Sequence, residues 1–286
     1  MKNNSVPVSL SDCTSLMIKK LSIIVVLLFL AFLFAFAKDR DALRNKSTRG
    51  KYITCNGVKI YFEIYGKGEP LLLLHGNSQS IADLKYQIPF FAEKFKVIAV
   101  DSRSHGKSDD SKQDLDYYLM ASDMNQLLDS LHLDSVNVLG WSDGGNIGLI
   151  LAARYGKKVK KLACMGANLY SDKSSVNEKE LKWARRIRML LNILGIFNKK
   201  ARHDKKFIKL LLKCNINKDD LPAIRIPVLI MAGENDIIKE DHTKLIARSI
   251  PNAHLIIFPN STHFIPRENP VLYNNTVLNF FLNANY

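Results

Sequence analysis

The chain has 286 residues, 47% of them hydrophobic and 24% charged, with 41 Lys/Arg against 27 Asp/Glu. That is an ordinary globular composition, long enough for one sizeable core and a small inserted subdomain. The four cysteines, Cys13, Cys55, Cys164 and Cys214, show no C-x-x-C spacing, so neither a disulfide framework nor a metal site is implied.

Residues 1–20 form a short tail ending in Lys19-Lys20. Leu21 to Ala37 follows as 17 consecutive residues without a charge, with Ser22 as the polar exception. At about 1.5 Å per residue this run is close to the shortest that spans a bilayer. Two readings compete. The lysine pair and the ending Ala35-Phe36-Ala37 fit a signal peptide cleaved near Ala37, which would release a secreted protein. The run is longer than the apolar core of such peptides and has no breaker before the site, which favours an uncleaved membrane anchor. Six Lys/Arg follow the run up to Lys51 and three precede it, so the positive-inside count opposes export. Residues 38–50 read as a charged linker.

From residue 51 onward the pattern changes. Tyr52–Cys55 and Val58–Tyr65 flank Asn56-Gly57, the signature of a tight hairpin. Leu71–Leu74 is a continuous apolar run ending in His75-Gly76-Asn77-Ser78. Lys96–Val100 is another, ending in Asp101-Ser102-Arg103-Ser104-His105-Gly106-Lys107-Ser108. Helical patterns cover Ile81–Lys94 and Tyr117–Leu131. Val136–Leu139 is a third buried strand, Asn146–Tyr155 a helix, and Val159–Met165 a fourth strand in which Cys164 is a small hydrophobe. Asn168–Pro222 interrupts the alternation with two amphipathic helices, near Glu178–Leu194 and Lys205–Cys214, and no strand. Alternation resumes with Val228–Ala232, Glu240–Ser249, Leu255–Phe258 and Val271–Leu282. Strands buried on both faces and alternating with helices predict an α/β fold: a doubly wound, mostly parallel sheet at residues 51–286 with a helical cap at about 168–222.

Between the third strand and its helix lies Gly140-Trp141-Ser142-Asp143-Gly144. A strand-to-helix reversal that tight has no room for Cβ atoms beside the serine, and it exposes the serine Oγ beyond the strand end. A serine nucleophile needs a base and an acid to orient that base. His263 follows the last strand and Asp236 ends the preceding one, so Ser142, Asp236 and His263 form a candidate catalytic triad, each just past a strand. The oxyanion needs two amide donors about 3 Å from the developing charge. Asp143 supplies one through its backbone, and Asn77, after the flexible Gly76, is the candidate for the other. His132, His203, His242 and His254 sit in helical or polar contexts and are assigned no chemistry.

These motifs resemble the α/β-hydrolase superfamily over about 235 residues, from Tyr52 to the C-terminus. The resemblance rests on His75-Gly76, Asp101-x-Arg103-x-His105-Gly106-x-Ser108, Gly140-x-Ser142-x-Gly144-Gly145, and Gly233-x-x-Asp236 with His263. Members carry glycine where this chain has Ser104, a departure expected to loosen that loop. Gly140-Trp141-Ser142-Asp143-Gly144-Gly145, with Gly166-Ala167-Asn168, is similar to valacyclovir-hydrolase-like (biphenyl-hydrolase-like) serine hydrolases. The resemblance implies that Asp143 helps select substrates with an α-amino group.

The expected activity is a cofactor-free, metal-free, carboxylesterase-like serine hydrolase acting on a small-molecule ester or related acyl bond. A C–C bond hydrolase or a perhydrolase would use the same triad. A non-catalytic binding protein of this fold usually lacks a triad member, and all three are present here. Dehalogenases and epoxide hydrolases need a carboxylate where Ser142 stands. Residues 171–220 hold 14 Lys/Arg against 6 Asp/Glu. With no nucleic-acid-binding motif beside it, that charge reads as a solvated face or an attraction to anionic lipid, not as a nucleic-acid site.

Overall fold

A computed structural model of the protein describes residues 50–283. The tail, the apolar run Leu21–Ala37 and most of the linker lie outside the described residues. Among the described residues no helix is long and apolar enough to cross a membrane.

Eight strands form one sheet in the order β1-β2-β4-β3-β5-β6-β7-β8. They are β1 (Gly50–Cys55), β2 (Val58–Tyr65), β3 (Glu69–Leu74), β4 (Phe95–Asp101), β5 (Val136–Trp141), β6 (Val159–Met165), β7 (Val228–Asn235) and β8 (Ala253–Thr262). The pairs β1–β2 and β2–β4 are antiparallel, and the pairs from β4 through β8 are parallel. The helices are α1 (Gln87–Phe91), α2 (Tyr117–Ser130), α3 (Asp143–Arg154), α4 (Glu178–Leu194), α5 (Lys199–Leu212), α6 (Glu240–Arg248), α7 (Ile265–Glu268) and α8 (Pro270–Leu282).

The hairpin turn at Asn56 (φ 45°) and Gly57 (φ 78°) occupies the left-handed region at both central positions, which is why Asn-Gly stands there. Period-two alternation then sorts the parallel strands between two cores. Leu72, Leu74, Ile98, Val100, Val136 and Val138 face the core covered by α2 and α3. Leu71, Leu73, Val97, Ala99, Leu139 and Trp141 face the core closed by Phe91, Tyr273 and Phe280. Continuous apolar runs are what a sheet covered on both faces requires.

The helix expected over Ile81–Lys94 is instead a 3₁₀ turn, Ile81–Leu84, followed by the five-residue α1. Pro89 lies inside that segment and has no N–H to donate to the Lys85 carbonyl, so one helix does not run through from Ile81. The second cap helix begins at Lys199, not Lys205, because the Asn198 side chain accepts from the Lys200 and Ala201 N–H groups. Residues 168–222 also hold isolated bridges, Tyr170 to Asn215 and Val176 to Ile238, which tie the cap to itself and to the loop after β7.

The Asp101–Ser108 segment is scaffolding. Asp101 accepts from the Ile81 N–H (2.7 Å) and the Lys107 N–H (2.8 Å), and Ser108 Oγ accepts from the Tyr61 N–H (2.8 Å). Arg103, 1% exposed, forks onto Asp123 of α2, which also accepts from Asn56 Nδ2 in the hairpin turn. Ser104 sits at φ 64°, explaining the usual glycine. Its hydroxyl accepts from the Ser111 N–H (2.9 Å), so the serine pins the loop rather than loosening it.

Candidate active site

Ser142 stands between β5 and α3 with φ 56° and ψ −117°. A serine at this position before a helix ordinarily turns its hydroxyl onto the first-turn amides. Here the side chain makes no capping hydrogen bond and is left free at the strand end. The turn is held by the Ser142 N–H donating to the Met165 carbonyl (2.7 Å). A Cβ on Gly140 would lie 2.2 Å from the Gly144 carbonyl oxygen, and one on Gly144 would lie 2.4 Å from the Leu74 carbonyl oxygen. The two glycines therefore follow from contact distances.

His263 and Asp236 are brought together from the ends of β8 and β7. His263 Nδ1 lies 2.7 Å from Asp236 Oδ1, and both residues are buried. The carboxylate also accepts from the Ile238 N–H (2.9 Å) and, through Oδ2, from the Gly233 N–H (3.4 Å). Trp141, the neighbour of Ser142, donates its indole N–H to the His263 carbonyl (3.0 Å), fixing the histidine loop beside the strand that carries the serine. Among the described residues the Ser142 hydroxyl has no hydrogen-bond partner, and Ser142 is half-buried.

The oxyanion candidates lie in the loop after β3 and at the first residue of α3. A Cβ built on Gly76 would lie 3.2 Å from the Ser142 Cβ, which places that loop against the serine. The Gly76 N–H is already donated to Gln79 Oε1 (2.8 Å). The Asn77 and Asp143 N–H groups have no protein acceptor among the described residues. The Asp143 side chain is buried, and its carboxylate accepts from Tyr117 Oη (2.7 Å) and Asn77 Nδ2 (2.9 Å). Burial pushes this carboxyl above its ordinary range, opposed by those two hydrogen bonds.

Several residues here went unassigned from sequence. In the sequence Tyr117 is only the start of a helical pattern. His242 Nε2 accepts from the Leu169 N–H (3.0 Å) and shapes the first cap residues; burial lowers its pKa to about 4. Phe207 of α5 stacks on His105 with centroids 4.2 Å apart, and its carbonyl accepts from Asn77 Nδ2 (3.2 Å). His75 and His105 are structural: each accepts at Nε2 from a loop amide, Ser102 N–H for His75 and Ser78 N–H for His105.

Gly166 was legible as part of a motif but had no role. It lies at φ 63°, and a Cβ there would come within 2.5 Å of His263 Cε1 and 2.7 Å of Nδ1. Gly166→Ala is expected to displace the imidazole and lower kcat/KM on a small ester by about a hundredfold, the scale of an ångström misplacement. An alanine enzyme with wild-type kcat/KM would show that the ring is not held against this glycine.

Residues 69–192 match the family model described as alpha/beta hydrolase fold. The chain is 31% identical over 229 residues to human serine hydrolase BPHL, covering 74% of this chain and 79% of that protein. It is 24% identical over 282 residues to the 2-hydroxy-6-oxo-6-phenylhexa-2,4-dienoate hydrolase of Burkholderia cepacia, covering 84% of this chain and 99% of that enzyme. In fold it is similar to the esterase EaEST of Exiguobacterium antarcticum, with a TM-score of 0.68 at 24% identity over 81% of this chain and 98% of the esterase. The sheet order, the strained turn after β5 and these likenesses agree, and the chain belongs to the alpha/beta hydrolase fold family.

Proposed function

We propose that the protein is a serine hydrolase that cleaves a carboxylic ester or related acyl bond through an acyl-enzyme. The observations that support this reading are the uncommitted Ser142 hydroxyl on a strained turn, and a histidine whose Nδ1 is held by a buried carboxylate and whose carbonyl is tied to Trp141, the neighbour of Ser142. In this reading His263 Nε2 takes the Ser142 proton as Oγ attacks the acyl carbon. The Asn77 and Asp143 N–H groups receive the negative charge on the carbonyl oxygen. The imidazolium then protonates the leaving alkoxide as the C–O bond breaks. Water, deprotonated by the same Nε2, releases the acid and restores Ser142. Asp236 keeps the Nδ1 proton in place and the Nε2 lone pair toward the serine.

A fluorophosphonate probe should label Ser142, and a chain-length series of p-nitrophenyl esters should define the acyl pocket. Labelling at another residue would remove the reading. The same side chains serve a C–C bond hydrolase, the chemistry in the name of the Burkholderia relative. Turnover of a dienoate ring-fission product, with inert esters, would favour that alternative.

The buried Asp143 carboxylate has two neutral donors and no Lys or Arg partner among its hydrogen bonds. An uncompensated buried carboxylate favours an incoming cation. Aminoacyl esters are therefore expected to exceed matched plain acyl esters in kcat/KM by about tenfold or more, the scale of one charged hydrogen bond. Asp143→Asn keeps the backbone N–H and an acceptor for Asn77 while removing the charge, so it should erase the preference and spare plain esters. Equal rates for both ester classes in the parent enzyme would remove the case for this selectivity.

For the segment before the described residues, we propose that Leu21–Ala37 is an uncleaved anchor, a reading supported by its length and its lack of charge. A protein recovered from cells in the membrane fraction with its N-terminus intact agrees with it. A mature chain beginning at Lys38 shows secretion instead.

A further inference from the structure

The cap carries a feature that the proposed chemistry does not use. Helix α4 buries Leu181 and Ala184 and half-buries Ile187 and Leu191, which together make its inward face. The opposite side of its last two turns, and the connection to α5, ought then to be polar. They are apolar. Met189 is 65% exposed, Ile193 60%, Ile196 64% and Phe197 90%, with Leu190 and Leu194 about half exposed. Phe197 stands at the apex between α4 and α5, so the exposed side chains form one tip instead of scattered surface hydrophobes.

Cations flank this tip along the chain. Arg185, Arg186 and Arg188 precede it and are exposed; Lys199, Lys200 and Arg202 follow it and are exposed. The three arginines have no carboxylate partner among the described ion pairs, whereas Lys200 pairs with Asp204 and Arg202 caps the Gly195 carbonyl. Charge decides what such a surface fits. A second copy would bring the same cations against one another. The apolar run Leu21–Ala37 would cover the apolar side chains but has no charge to offer the arginines. An anionic bilayer surface satisfies both, with acyl chains for the tip and headgroup phosphates for the cations on either side.

We propose that the cap tip, Met189 to Phe197, docks into the surface of an anionic phospholipid bilayer, with Arg185, Arg186 and Arg188 on the headgroups. The docking is independent of which bond the enzyme cleaves. It holds the cap at the membrane whether or not Leu21–Ala37 also spans it.

The test uses the full chain with Phe197→Trp as reporter, in vesicles whose acyl chains are brominated. Trp183, 46% exposed on α4 itself, is removed by Trp183→Phe so that residue 197 reports alone, and Trp141, 2% exposed in the protein interior, is a constant background. In phosphatidylcholine vesicles containing phosphatidylglycerol, bromine should quench the reporter. In phosphatidylcholine alone, or with Arg185, Arg186 and Arg188 all changed to Glu, roughly half of that quenching or more should disappear, as expected when several surface charges are lost. Circular dichroism and the melting temperature show whether the charge-reversed chain is folded. Should it not be, raising the salt concentration makes the same measurement on the unreversed chain, because screening weakens the headgroup attraction. Quenching that ignores phosphatidylglycerol, charge reversal and salt overturns the proposal. A reporter shielded from both bromine and aqueous iodide in every vesicle also overturns it, since protein then covers the tip.

Discussion

Ser142→Ala is expected to lose at least about a thousandfold in turnover on any ester the enzyme accepts, and to melt no lower than the parent. The asymmetry follows from the turn. The Ser142 hydroxyl makes no capping bond, so its removal leaves no partner unsatisfied. The hydrogen bond that holds the turn is the backbone one to Met165, which alanine retains. No core contact is lost, and an alanine tolerates φ 56° no worse than a serine. What remains is binding and whatever the Asn77 and Asp143 N–H groups contribute to an attack by water. Steady-state kinetics, a burst titration and a thermal melt on the same preparation decide the matter. Residual turnover within tenfold of the parent would mean that another group is the nucleophile. A large fall in melting temperature would mean that the hydroxyl has a structural role.

Asp236→Asn is expected to be comparably damaging, by about ten-thousandfold, through proton placement and not through charge alone. The Asp236 carboxylate accepts on both oxygens: Oδ1 from His263 Nδ1 and the Ile238 N–H, Oδ2 from the Gly233 N–H. Asparagine has one carbonyl oxygen for these donors. With that oxygen toward His263, its NH₂ group faces the Gly233 N–H, donor against donor. With the amide flipped, the NH₂ faces Nδ1, which must then accept, and the histidine proton moves to Nε2. In that tautomer the ring offers Ser142 a donor where a base is needed. Kinetics alone would not separate this from unfolding, so the variant should also be examined by ¹⁵N NMR of the imidazole. An active variant, or an inactive one that keeps its proton on Nδ1, would contradict the account.

Much of this architecture could be read in advance because parallel strands buried on both faces leave continuous apolar runs, and Leu71–Leu74 is as plain a signal as a strand gives. The elbow was legible for a different reason: the steric demand at Gly140 and Gly144 is local, so it is written in adjacent residues. What could not be read lies in long-range distances. Nothing near Tyr117 in sequence tells that its hydroxyl meets Asp143, and nothing near Gly166 tells that a histidine almost a hundred positions later lies against it. Helix limits failed where one side chain decided them, at Pro89 within α1 and at Asn198 before α5. Ser104 misled in another way: substitution of a left-handed glycine suggested slack, while its hydroxyl found the Ser111 amide.

Asn77 has a further consequence. Its single amide nitrogen donates both to Asp143 Oδ2 beside the serine and to the Phe207 carbonyl of α5. Helix α5 is itself fastened to the body of the domain by Lys206 on Asp110 and Lys209 on Asp114. Admitting a bulky substrate by lifting α5 would therefore slacken the same residue whose backbone is proposed to receive the negative charge. In the proposed mechanism, the position of α5 and the placement of that backbone N–H would then vary together, because one amide nitrogen ties them.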